Sequence, residues 1–254
     1  MICAAIELDI SLRYQQANAL LAGLILWGLS EFRFEKYLRA AFIFAFATHL
    51  KVFPVLMALV LALPKNTFFA LSYLGALAVL FCWPAGVVGF PRALQMQWMQ
   101  VFSTTADFEK RDLLDLAACL KRLNLKLLGE ALSKLVLLIG GLILVRYRWM
   151  THNKNFNWTI WYTSFMAYLL VVVPKAESPT FVWMAPAYLF LGAETKEKGK
   201  YLVLLLGLVI TLVYSSIFPR PWVEWMTWEY TSKTLGNFVL WGFASWLLIR
   251  EKVH

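Results

Sequence analysis

The sequence predicts an all-α, polytopic transmembrane helix bundle. Three observations carry this. Apolar residues make up 61% of the chain. They gather in long continuous runs such as 135–145 and 202–213 rather than at alternate positions, which excludes the period-two pattern of a transmembrane β-barrel. Lys and Arg cluster in the short connections beside those runs. A chain that must satisfy its backbone in lipid then has helices as the remaining choice.

About eight hydrophobic segments follow in order. The first, 17–30, opens with Gln15, Gln16 and Asn18. Their amides both donate and accept, so they suit sugar hydroxyls, and they equally suit helix capping and interhelical bonding. Residues 37–63 form one apolar run. As a single helix it would be roughly 40 Å long against a hydrocarbon core of about 30 Å. Pro54 lacks a donor and disfavours helix at Phe53, so the run is expected to break within 49–54 and return. Segment 68–90 comes next.

The connection 91–126 is too long for a plain connector. Within it, 112–123 carries apolar residues at helical spacing with charges on the other side. This predicts an amphipathic helix lying in the interface, either roofing a cavity or forming a plain surface helix. The remaining segments are 127–145, 156–174, 180–191, 201–218 and 235–249, and residues 1–254 read as one membrane domain.

The net charge of +9 would suggest nucleic acid in a soluble protein. Beside membrane spans the same cations are topology signals, and no nucleic-acid partner is expected. The positive-inside bias puts 146–155, 194–200 and the tail from Arg250 in the cytoplasm. Parity then puts 91–126, 175–178 and 219–233 outside. If 37–63 breaks and returns, Arg33, Lys36 and Arg39 lie inside with Lys65; a single span would place them outside. Trp222, Trp225, Trp228 and Tyr230 read as an interfacial belt, with stacking on sugar rings as the other use of such faces. The expected location is a bacterial inner or plasma membrane, crossed several times.

Cys3, Cys82 and Cys119 are few, odd in number and widely spaced, which speaks against a disulfide framework or a zinc site. The sequence holds no phosphate-cradling glycine loop, metal-ligand cluster or G-x-S-x-G elbow. No metal or cofactor is expected, and soluble nucleotide chemistry is disfavoured.

Thr48-His49-Leu50-Lys51-Val52-Phe53-Pro54 puts two ionisable side chains inside an apolar run. A lysine at the bilayer centre costs roughly 3 kcal/mol on insertion scales, so it normally faces a wet cavity or an anionic partner. As a compact charge with three donors, Lys51 suits a phosphate or diphosphate, with His49 beside it. Otherwise Lys51 snorkels to the interface and His49 is an ordinary bundle residue. Lys121 and Arg122 offer a second cation or a solvated face.

Lys175-Ala176-Glu177-Ser178-Pro179 joins a long span to a short one. It is either a capping turn or a place where Glu177 accepts a proton and its neighbours bind hydroxyls. In the broken reading, Gln16, Asn18, His49, Lys51, 91–126 and 175–178 all lie toward one membrane face, which marks that face for a site.

Three stretches occur in order: Gln16-Ala17-Asn18-Ala19-Leu20, then His49 to Pro54, then Ala176-Glu177-Ser178-Pro179-Thr180-Phe181. Together they resemble glycosyltransferase family 87 of the polytopic C-type glycosyltransferases. The resemblance implies a sugar transferase, often a mannosyltransferase, that takes its sugar from a polyprenyl phosphate on the outer face without a nucleotide site. Its acceptor would be a lipid or glycan. Gln16 and Asn18 correspond to the motif amides and Lys51 to the motif lysine, while 98–123 resembles the outer loop that ends in an Arg-Leu pair, here Arg122-Leu123.

Taken with the residue reading above, the candidate donor-phosphate ligands are Lys51, His49 and Arg122, and the candidate sugar or acceptor ligands are Gln16, Asn18, Lys175 and Ser178. Two departures stand out. Many relatives carry Trp and paired His after the proline that corresponds to Pro174, whereas this chain has Lys175, Ala176 and Glu177. The family's catalytic acid normally precedes the region of Gln16, where this chain offers only Glu7 and Asp9. The chain is therefore expected to be the C-terminal part of a longer protein, with Glu177 as a substitute base. The competing expectation is a lipid or solute transporter using the same cation, although no internal repeat of the kind common in transporters is visible.

Overall fold

The computed structural model describes residues 18–63, 66–102, 116–122, 124–151, 156–172, 183–187 and 229–250. Every regular element among them is helical, as the apolar runs require. In chain order these are α1 (Asn18–Arg33), α2 (Tyr37–Leu50), α3 (Pro54–Ala62), α4 (Thr67–Val88), α5 (Phe90–Phe102), α6 (Leu116–Arg122), α7 (Lys126–Met150), α8 (Trp158–Val172) and α9 (Glu229–Arg250). Among the described residues, α4 and α7 are long and apolar enough to cross a membrane, and α2 and α8 are shorter apolar helices. The segments 180–191 and 201–218 fall wholly or mostly outside the described residues, as does the aromatic cluster from Trp222 to Trp228. The chain divides into two compact units, Leu20–Arg111 and Asp112–His254 with Met1–Ala19.

In the first unit, α1 ends on a hydrogen-bonded turn. Lys36 N donates to Glu31 O at 2.9 Å and Glu35 N to Phe32 O at 3.0 Å. This is the pairing of a Schellman cap, and it places Glu35 in the left-handed region at φ 59°. The turn brings Phe32 against Tyr37 at the start of α2, ring centroids 5.3 Å apart, and against Phe69 at the start of α4, 4.9 Å apart. So α4 begins beside the first two turns of α2. Further along, Thr48 bonds Tyr73, which requires the two helices to run in the same direction. The chain between them must therefore turn back, and α3 is that return.

The break is where Pro54 predicts it. Helix α2 stops at Leu50, Lys51 is extended at φ −148° and ψ 139°, and Pro54 opens α3 at a position where its missing N–H costs nothing. Asn66 then caps α4, its Oδ1 accepting from Phe69 N at 3.1 Å.

Helix α4 ends at Gly89, whose φ of +82° and ψ of 148° is a conformation open essentially to glycine alone. That sharp turn lets helix restart at once as α5, with Ala93 N donating to Gly89 O at 3.0 Å. A helix over the first part of 91–126 was not expected from the sequence; the turn at Gly89 is what permits it.

In the second unit the expected amphipathic helix is described over α6. Leu116, Cys119 and Leu120 are buried and Lys121 is exposed, so the apolar stripe faces the protein. Asn124, left-handed at φ 60°, closes it. Helices α7, α8 and α9 pack together, and buried polar groups join them. Tyr168 donates to Leu137 O at 2.8 Å, Ser164 and Ser245 share a 3.0 Å bond, and Asn237 Nδ2 donates to Ala167 O at 2.9 Å. Tyr162 donates to Trp183 O at 2.9 Å. Where lipid offers no hydrogen bonds, such pairs fix helix register.

Candidate functional site

The site is built on the break between α2 and α3. Helix α2 runs about 21 Å from the α1–α2 turn to Leu50, so the break lies at the opposite end of the helix from Arg33, Lys36 and Arg39. Lys51 N still donates to Ala47 O at 3.0 Å, closing the helix, while the extended Lys51 backbone turns the chain away. Val55 N and Leu56 N donate to Val52 O and Phe53 O at 3.1 Å each and start α3. His49 and Lys51 are therefore both held at one helix end and both half-buried. A backbone kept out of helix at such a position is tolerated where it lines a protein or water cavity.

One contact fixes this end of α2. Thr48 Oγ1 and the Tyr73 hydroxyl are 2.8 Å apart, one turn before Lys51. Phe44 packs edge-on against Phe69, and Phe69 stacks on Tyr73. The sequence reading missed Tyr73. It sits in an apolar run with no partner visible in one dimension, and only the parallel course of α2 and α4 brings it to Thr48.

Among the sequence candidates, His49 lies in the last turn of α2 and Lys51 is its C-cap. Asn18 is the first residue of α1 and fully buried. Arg122 closes α6. Gln16, Lys175, Glu177 and Ser178 lie outside the described residues. Among the described residues no group of His, Cys, Asp and Glu could hold a metal ion.

Arg148 is the other residue the sequence misplaced. It belongs to the basic connection 146–155, yet α7 continues through it and buries it, with its guanidinium 5.3 Å from the Phe156 ring centroid.

The family model of glycosyltransferase family 87 matches residues 3–174, a stretch that includes the break, α1 to α8 and the first amide motif. No curated protein and no solved structure matches the chain.

Proposed function

Because the chain belongs to glycosyltransferase family 87, a family of membrane glycosyltransferases, we propose that it moves a hexose, mannose first among them, from a polyprenyl phosphate to a lipid or glycan acceptor at the outer membrane face. The observation that supports this reading is the helix break at Lys51, two residues after His49 and at the far end of α2 from the basic turn.

Transfer breaks the bond between the sugar's anomeric carbon and the phosphate oxygen, and that oxygen keeps the electron pair. A fixed cation within reach of the phosphate stabilises the charge as it grows. Lys51 is the residue for this role, and His49 and Arg122 are the other phosphate-ligand candidates the sequence offers. The acceptor hydroxyl attacks the anomeric carbon and gives its proton to a carboxylate. Glu177 is the candidate within this chain. Gln16, Asn18, Lys175 and Ser178 would bind sugar or acceptor hydroxyls.

The test is transfer from a radiolabelled polyprenyl-phosphate sugar in membranes that contain the chain. Activity in the wild type and its loss in Lys51→Met, at equal membrane insertion, is the expected result. Turnover at the wild-type rate in Lys51→Met would remove the phosphate role. Movement of labelled lipid without sugar transfer would identify a transporter instead.

A further inference from the structure

We propose that the groove between α1, α2 and α4 is a binding site for an anionic glycerophospholipid, with one acyl chain in the groove and the phosphate on Arg39. It lies in the leaflet on the side of the α1–α2 turn. The groove encloses about 790 Å³ and is lined almost wholly by apolar groups, a volume in the range of sites that take a small ligand.

Arg39 stands at the start of α2 and Val79 lies more than three turns into α4. Because the two helices run the same way, the groove reaches roughly 15 to 20 Å from the charged turn into the apolar layer. Trp27 and Phe42 form its walls and Gly75 lies in its lining. A Cβ at Gly75 would meet nothing within 4 Å, so the space there belongs to the occupant rather than to another side chain of this unit.

The charge at the mouth selects the headgroup. Trp27 Nε1 donates to Glu31 Oε1 at 3.4 Å, which holds the indole at the groove's edge. Glu31 Oε2 lies 3.9 Å from Lys36 Nζ and 4.0 Å from Arg39 Nη1. Arg33 is in the same turn, so among the described residues the turn carries three cations, Arg33, Lys36 and Arg39, against two carboxylates, Glu31 and Glu35. The Arg39 side chain remains 72% exposed, and its planar fork can take a phosphate while one edge stays near Glu31. An apolar channel that ends at an exposed guanidinium matches a lipid in chain and headgroup together. Lys51 is at the other end of α2, so this site is separate from the proposed transfer centre and independent of it.

The experiment is native mass spectrometry of the full chain in detergent with an equimolar mixture of phosphatidylglycerol and phosphatidylcholine of the same acyl chains. The wild type should retain phosphatidylglycerol roughly fivefold over phosphatidylcholine, the preference one basic residue near a membrane surface supplies. Arg39→Gln should lose the preference and still carry lipid. Gly75→Leu should lose the lipid at an unchanged melting temperature. Gly86→Leu, equally free of neighbours on the same helix, should keep it. Equal retention of the two lipids by the wild type, or full retention in Gly75→Leu, overturns the proposal. So does a wild-type dimer that Gly75→Leu splits, which would seat a second copy in the groove.

Discussion

Thr48 Oγ1 lies 2.8 Å from the Tyr73 hydroxyl and ties the last turn of α2 to α4 just before the chain leaves the helix at Lys51. Interhelical hydrogen bonds in membrane proteins couple by about 0.6 kcal/mol on average and up to about 1.7. Thr48→Val and Tyr73→Phe should each destabilise the protein, and the double variant should lose less than the sum by an amount in that range. Unfolding titrations of the four proteins in detergent check it. Strict additivity would mean that the bond contributes nothing to the position of the break.

Glu35 occupies the left-handed position of the α1–α2 turn at φ 59°, where a side chain is crowded by the backbone. That conformation costs a non-glycine residue about 1 to 2 kcal/mol, and glycine gives part of this back as unfolded-state entropy. Glu35→Gly should therefore raise stability by about 0.5 to 1 kcal/mol, read from the thermal or denaturant midpoint. Glu35→Ala keeps a Cβ and should gain nothing.

Adjacent glycines on α7 should behave oppositely. A Cβ on Gly140 would come within 2.5 Å of the Tyr168 ring and 3.1 Å of Trp241, whereas one on Gly141 meets only the Tyr168 hydroxyl at 3.5 Å. Tyr168 cannot step aside without giving up its bond to Leu137 O. Gly140→Ala should cost about 1 to 3 kcal/mol, the range for overpacking a close contact. Gly141→Ala should be neutral or slightly stabilising, because alanine is the better helix former. Equal effects at the two positions would show that α7 and α8 are not as close as described.

The sequence announced the break because its signals are local. A run too long for one span, a lysine within it and a proline three residues later point to the same few bonds, and the helix ends at Leu50. A helix within 112–123 was legible for the same reason over the part described, Leu116–Arg122. Other features depend on neighbours distant in sequence. Nothing within one segment says that Tyr73 meets Thr48, that Ser164 meets Ser245, or that Trp27, Phe42 and Gly75 line one groove. The charge of Arg148 reads as that of a loop residue, whereas α7 runs through it and its guanidinium lies over the Phe156 ring.

Membrane orientation can be read at the α1–α2 turn. Phe34 is 66% exposed there. Cys119 is fully buried and unsuited as a reporter, while Cys82 is exposed and must be replaced by Ser. If the break faces outside, Phe34→Cys should resist a membrane-impermeant thiol reagent in intact cells and react once the membrane is opened. Ready labelling in intact cells would put the basic turn outside and invert the proposed site.

Substitutions at Lys51 separate charge from shape and ground state from transition state. A cation acting on the charge that develops on the donor phosphate contributes mainly to kcat, whereas one that only recognises the bound donor contributes to KM. Lys51→Met keeps most of the apolar stem and removes the charge, so kcat should fall by about 10² to 10³, the usual effect of deleting one electrostatic stabiliser. Lys51→Arg keeps the charge on a wider, planar group and should retain part of that activity, because a guanidinium still meets phosphate oxygens at altered geometry. His49→Gln preserves hydrogen bonding without a titratable ring and should cost less than Lys51→Met if Lys51 carries the principal charge. Initial rates over a donor series, with insertion and melting temperature matched to wild type, give both constants for each variant. A Lys51→Met enzyme with wild-type kcat and a raised KM would move Lys51 from transition-state stabilisation to donor recognition, and the break would then serve to admit the lipid rather than to drive its departure.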